Sequence, residues 1–153
     1  MGFEPVPTLF LICGLPGSGK TTLGKRLEQE RDAVRLAPDE WMARIVGDGY
    51  DETRRAAVEA VQIELAQRLL RLGLDVILEF GFWTRRERQQ LRSNAAALGA
   101  DTKLLFLDVP RDELVERLRR RNEALPPDTF HVRAADLDRW MTEVEPPTLD
   151  ELE

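Results

Sequence analysis

Residues 8–21 constrain this chain more than any others. Thr8-Leu9-Phe10-Leu11-Ile12-Cys13 is an unbroken apolar run, the composition of a strand covered on both faces. Such strands belong to parallel sheets whose connections are helices. The run ends in Gly14-Leu15-Pro16-Gly17-Ser18-Gly19-Lys20-Thr21, which fits G-x-x-x-x-G-K-[ST] at every fixed position. Glycines let the backbone curl so that successive N–H groups face one centre, and the helix that follows adds its positive end. A strand, loop and helix in this order make a phosphate cradle. Lys20 would reach the β- and γ-phosphates of ATP, and the Thr21 hydroxyl would ligate a magnesium ion. Gly14 to Thr21, with Thr22, are the expected nucleotide contacts.

Composition strengthens that expectation. The only lysines are Lys20, Lys25 and Lys103, against nineteen arginines, so a lysine at the one position where the cradle requires it stands out. At 153 residues the chain is expected to be a single domain over 1–153. The 42% hydrophobic and 33% charged content argues against disorder. No apolar stretch approaches the ~18 residues of a membrane span, so no membrane partner is expected. Acidic residues exceed basic ones, 28 to 22, for a net charge of −6. Such a balance repels polyanions without forbidding a local basic cleft, and makes a nucleic-acid partner the less favoured alternative. The lone Cys13 forms no internal disulfide and reads as buried core. With no basic or apolar leader in Met1-Gly2-Phe3-Glu4-Pro5, a cytoplasmic location is expected.

Strand and helix patterns alternate beyond the cradle. Ala33–Leu36, Val76–Leu78 and Lys103–Leu107 read as further strands. Between them lie helical stripes: Leu23 and Leu27; Val58, Val61, Leu65, Leu69 and Leu72, ending at Gly73; and a helix opened by a Thr84/Glu87 capping box and stopped at Gly99. An Arg-rich helix follows Pro110, then a loop at 125–128. A last apolar face of Leu137, Trp140, Met141 and Val144 ends at Pro146-Pro147. The expected fold is α/β, a parallel sheet with helices on both faces, and ligands bind at the carboxyl ends of such strands.

Those ends carry the candidate chemistry. Asp39 follows the second strand, where a carboxylate would take the proton of an attacking hydroxyl or cap the helix beginning at Glu40. Glu79 follows the third strand, placed to orient a magnesium-bound water, an acceptor hydroxyl or an arginine. Phe82 and Trp83 beyond it, with Trp41, would wall an acceptor pocket to which Tyr50 gives shape. Arg117 and Arg121 lie one helical turn apart with Arg120 on the same side, so two or three guanidiniums would converge on a transferring phosphoryl group. Arg119 projects elsewhere. Arg54, Arg55, Arg85, Arg86 and Arg88 read as solvated, whereas Arg44, a turn past Asp39, is assigned to the acceptor side. His131 has no metal-ligand neighbours in sequence and reads as structural or as facing adenine.

Together, Gly14 to Thr22, Pro38-Asp39-Glu40-Trp41 and Leu107-Asp108-Val109-Pro110 with the following arginines resemble the small P-loop kinases. The similarity is to the kinase domain of phage polynucleotide 5′-kinases and to the kinases grouped with chloramphenicol phosphotransferase. The resemblance implies a P-loop kinase fold with strand order 2-3-1-4 and an arginine-bearing lid over about 117–133, closing over the nucleotide. It implies Asp39 as general base, Arg44 as the acceptor-side arginine and Arg117 to Arg121 as the arginines of the lid, without saying which takes which role; with the one-turn spacing, Lys20, Arg117 and Arg121 are the groups expected to stabilise the transfer. Where the polynucleotide kinases carry an aspartate and a polar loop, this chain has Glu79 and Phe80-Gly81-Phe82-Trp83. That departure points to a small hydroxyl-bearing acceptor. A polynucleotide 5′-hydroxyl and a nucleotide-dependent switch without transfer are the alternatives.

Overall fold

A computed structural model describes residues 5–152. Met1–Glu4, part of the segment read above as lacking a leader, and Glu153 lie outside the described residues. The order is β1 (Thr8–Cys13), α1 (Lys20–Arg31), β2 (Val34–Leu36), α2 (Pro38–Trp41), a π-helical turn over Met42–Val46, α3 (Glu52–Arg71), β3 (Val76–Gly81), α4 (Arg85–Ala97), β4 (Asp101–Phe106), α5 (Arg111–Glu123), α6 (Ala134–Glu143) and α7 (Leu149–Leu152). The four strands form one parallel sheet in the order β2-β3-β1-β4, the order the resemblance implies.

Period-two alternation along β1 builds both halves of the core. Leu9, Leu11 and Cys13 face a cluster with Leu36, Ala66, Leu70, Leu78 and Leu91, beneath α3 and α4. Phe10 and Ile12 face the other side, with Leu27, Ala33 and Ile77 beneath α1. A third cluster joins α5 to α6 through Leu114, Leu118, Val132 and Leu137. Cys13 is buried as expected, and desolvation pushes its thiol up to about 12.

Two boundary differences matter for the site. β3 was expected to close at Leu78, but its pairing with β1 continues past Glu79 to Cys13↔Gly81 through a register shift. Glu79 therefore lies inside the strand, two residues on from Ile77, and alternation directs it toward α1. Gly24 of α1 receives it: a Cβ there would collide with the Glu79 carboxylate and approach Arg35 Cδ to 3.1 Å. Gly24→Ala should cost about 1–3 kcal/mol through overpacking, read as a lower urea midpoint, whereas exposed Ser93→Ala should leave the midpoint unchanged.

The second difference is at the C-terminus. Pro146-Pro147 ends α6 as expected, but a further short helix, α7, follows. It is anchored by Arg88, which was read as solvated and is in fact 2% exposed. Arg88 Nε and Nη2 donate to the Glu151 carboxylate at 3.3 and 3.1 Å, and Nη1 donates to the Phe82 carbonyl at 3.0 Å. Arg85 also points to this segment, donating to Thr148 Oγ1 at 2.8 Å. The capping box is present on its Thr84 side, whose hydroxyl accepts from the Glu87 N–H at 3.2 Å. Among the described residues no helix is long and apolar enough to cross a membrane.

Candidate active site

The loop between β1 and α1 is drawn tight. Gly17 and Gly19 hold φ of 85° and 102°, in the left-handed region that other residues enter at a cost. A Cβ on Gly14 would run into Ser18 Oγ. That hydroxyl is buried and has no hydrogen-bond partner among the described residues, and Gly19, the N-cap of α1, supplies no side chain to cap the helix. A buried orphan hydroxyl beside an uncapped helix start suits a phosphate oxygen. Lys20 Nζ donates to the Gly14 carbonyl at 2.8 Å. Burial lowers its pKa, while the Asp39 and Glu79 carboxylates oppose that shift.

Glu79 sits beneath the cradle. It accepts from Arg35 Nη1 at 3.0 Å, and Arg35 also donates to Glu40 at 2.6 Å. Burial raises the Glu79 pKa, with the Arg35 charge and hydrogen bond working against it. The Thr21 hydroxyl donates to Glu79 Oε2 at 3.3 Å. A hydroxyl and a carboxylate are the hard oxygen donors magnesium takes, and a cation that keeps waters and phosphates as its other ligands requires few protein oxygens. Of the partners expected for Glu79, an arginine is present, and it is Arg35, which the sequence did not single out.

Asp39 lies in the first turn of α2, just after Pro38. It is ion-paired with Arg55 at 2.8 Å. Arg55, expected to be solvated, also donates to the Gly49 carbonyl at 3.0 Å and stands 5.6 Å over the Phe130 ring. Its place one turn into α3, whose N-terminus packs beside α2, explains the reach; nothing in the spacing of a single sequence marks it. Arg121 is the lid arginine that turns inward. Its buried Nε has no partner among the described residues, and desolvation lowers its pKa while Asp39 pulls the other way. Arg117 donates to the Gly17 carbonyl at 3.2 Å and to Glu113 at 2.6 Å, so it braces the cradle.

Three expected site residues lie elsewhere. Arg120 turns to the solvent side of α5 and pairs with Glu116 at 3.0 Å. Arg44 pairs with Asp128 at 2.9 Å on the exposed surface. Trp41 packs against the core beneath α3 and is not in the lining of the cavity that holds Phe82 and Trp83. Arg120 is taken by the carboxylate one turn back on its own helix, Arg44 by one from the loop after α5, and the Trp41 indole turns toward the core.

Phe82 and Trp83 do line a cavity of about 770 Å³. Lys20, Asp39 and Glu79 lie on its walls, with Tyr50, Phe80, Phe130 and Trp140. Gly81 and Phe82 both adopt positive φ, 89° and 43°, which reverses the chain past β3. Phe82 stacks on Phe80 at 5.3 Å as part of the core, and Trp83 is delivered beside Trp140 at 5.7 Å. The segment expected to close over the nucleotide packs against the Gly49–Tyr50 turn, and its Phe130 lines the same cavity as Pro16 and Lys20 of the cradle. Phe130 fills the space left by Gly49, and the Tyr50 hydroxyl lies 3.0 Å from both the His131 carbonyl and Asp136. Asn122 closes the loop through two bonds to Val132, at 2.7 and 3.1 Å. His131 is exposed, contributing its carbonyl to this docking. Residues 145–147 pack near the cradle, lining a small cavity of about 170 Å³ with Cys13, Gly14 and Leu15.

The same architecture recurs in solved structures. A chain of the Pnkp1/Rnl/Hen1 RNA repair complex superposes with a TM-score of 0.76 at 21% identity over 90% of this chain, which spans 44% of that longer chain. Chaetomium thermophilum Kti12, in complex with ADP-AlF3, gives 0.72 at 17% identity over 92% of this chain and 81% of its own. The Mycobacterium tuberculosis APS kinase CysC, in complex with AMPPNP and APS, gives 0.62 at 19% over 90% and 99%. Among curated protein sequences none matches. The AAA domain family matches residues 9–147, so the chain belongs to that family, built on the fold that P-loop kinases share.

Proposed function

We propose that the chain transfers the γ-phosphoryl group of ATP to a hydroxyl of a small molecule. The observation that carries this reading is the shared cavity: Asp39, a carboxylate able to take a proton, and Lys20, the cradle lysine, line one space with an aromatic wall.

The cradle holds the triphosphate through backbone N–H groups and the Ser18 hydroxyl, leaving the γ-phosphoryl group facing the cavity. Asp39 orients the acceptor hydroxyl and receives its proton as the oxygen bonds to the γ-phosphorus. The bond from that phosphorus to the β-bridging oxygen breaks, and ADP leaves. Arg55 is a positioning residue that holds the Asp39 carboxylate in place. Lys20 and Arg121 offset charge on the transferring oxygens. Thr21 and Glu79 would hold a magnesium ion, which neutralises phosphate charge when bound.

Arg121→Met should lower kcat about 10²–10³-fold, the usual effect of losing one such donor, with little change in ATP affinity, measured by single-turnover kinetics beside equilibrium binding. The likeness to an RNA repair complex chain favours a second reading, a polynucleotide 5′-hydroxyl acceptor. Incubation with γ-labelled ATP, a mixture of small hydroxyl compounds and a 5′-hydroxyl oligonucleotide distinguishes the two. Label in the small compounds, lost with Lys20→Met, supports the proposal. Label confined to the oligonucleotide supports the second reading, and ATP binding without transfer supports a switch.

A further inference from the structure

The acceptor side of the cavity carries charge that the protein itself does not balance. Asp39 and Glu79 are occupied by Arg55 and Arg35. Glu52, Glu59, Glu87 and Glu143 line the same space, and their carboxylates have no ion pair or hydrogen-bond donor among the described residues. Of the lining cations, Lys20 belongs to the cradle and Arg55 to Asp39. Arg139 lies 3.5 Å from Asp136 and 5.9 Å over Trp140. Arg86, exposed on α4, is the one lining guanidinium without a carboxylate partner among the described residues. Four free carboxylates thus face one free cation.

Glu59 is the innermost of the four. It is half-buried on α3, whereas Glu52, Glu87 and Glu143 are exposed. Burial raises its pKa, and Glu87 and Asp39 add to that rise against the Arg55 charge. A ligand cation would relieve the cost of keeping it ionised. The rings form a second, independent feature. Trp83 and Trp140 lie 5.7 Å apart, Trp140 and Tyr50 6.4 Å, and Tyr50 and Phe130 5.6 Å. Such a wall suits an apolar or ring-bearing body, and aromatic faces attract cations.

We propose that the acceptor is an organic cation, a hydroxyl-bearing molecule with a protonated amine. Its hydroxyl lies at Asp39, its apolar part covers the Trp83–Trp140–Tyr50 wall, and its ammonium is taken by Glu59 with Glu87. The inference rests on the phosphotransfer reading and specifies its substrate class. The ammonium, having no free electron pair, is not the nucleophile. The hydroxyl oxygen forms the new bond to phosphorus and gives its proton to Asp39. An acceptor already bearing phosphate would be repelled by the free carboxylates.

Three probes share a phenyl ring and an aliphatic hydroxyl and differ in charge: phenylalaninol (cationic), N-acetylphenylalaninol (neutral) and 3-phenyllactate (anionic). Calorimetry on the full chain with AMPPNP present should show the cation binding about tenfold or more tighter than the neutral compound, with the anion weakest. Glu59→Gln combined with Glu87→Gln should bring the cation to the neutral compound's affinity without altering the latter. AMPPNP titration of each variant reports that the cradle is folded. Equal or reversed order, an affinity for the cation that ignores the two substitutions, or no binding by any probe overturns the proposal. Failure to bind AMPPNP or to turn over ATP would instead overturn the kinase reading.

Discussion

Asp39→Asn should slow phosphoryl transfer about 10²–10⁴-fold, the range for loss of a general base, while ATP binds nearly as in the wild type. The amide keeps the size of the side chain and can still accept a hydrogen bond from Arg55, so the cavity wall stays in place. What it loses is the capacity to take the hydroxyl proton as the O–P bond forms. Single-turnover measurements with acceptor and ATP both saturating isolate that step, and equilibrium titration of AMPPNP checks the cradle. Arg55→Gln should lower kcat by less, because the base survives without its brace, and Arg55→Lys should restore part of the loss. A purely structural Arg55 would give equal effects for both substitutions on stability and none specific to kcat.

Arg88→Met should cost about 3–5 kcal/mol of stability, the range for breaking one side of a buried ion pair. Arg88 and Glu151 are 2% and 4% exposed, so removing the guanidinium leaves a carboxylate whose remaining donor among the described residues is the Thr148 N–H at 2.9 Å. It also releases the Phe82 carbonyl, which Arg88 holds at the positive-φ turn that delivers Trp83 to the cavity. The double substitution Arg88→Met/Glu151→Leu should recover part of the loss, and a cycle completed with Glu151→Leu alone isolates the pair energy. The pair also gives stability a pH dependence of defined sign. Its hydrogen bonds with Arg88 and Thr148 hold the Glu151 carboxyl below its ordinary value of 4.5, against the effect of burial. Its contribution is therefore complete above that value and disappears as pH falls through the lower folded value. Urea midpoints from pH 7 down to pH 3 should fall more steeply in the wild type than in the double variant.

Local order carried most of the fold into the sequence. The apolar run at β1, the glycine cradle, the Thr84 cap and the glycines at helix ends each act over a few residues, so their positions could be read directly. Asp39 was legible for the same reason, as the residue next to a strand end. The side chains that complete the site were not. Arg55 meets Asp39 across sixteen positions, and Arg35 meets Glu79 across 44, through contacts between elements that pattern alone does not pair. Arg88 looked solvated because its neighbours Arg85 and Arg86 are charged, yet a carboxylate 63 residues later makes its burial tolerable. Arg44 and Arg120 went the other way. Both occupy plausible turns of their helices, and both are paired with carboxylates, Arg44 with Asp128 across 84 positions and Arg120 with Glu116 one turn away. The resemblance supplied the sheet order, and the parity of β3 supplied what it lacked, the turn of Glu79 toward Thr21.

The central claim is that the phosphoryl group leaves ATP for a hydroxyl in the cavity beside Asp39. Phosphorus-31 NMR of the wild-type chain with magnesium, ATP and a hydroxylated amine acceptor follows both sides of that transfer at once. One phosphomonoester formed for each ADP, with neither formed at comparable rate by Asp39→Asn, is the predicted result. ADP accompanied only by inorganic phosphate, or phosphomonoester formed equally fast by Asp39→Asn, would contradict it.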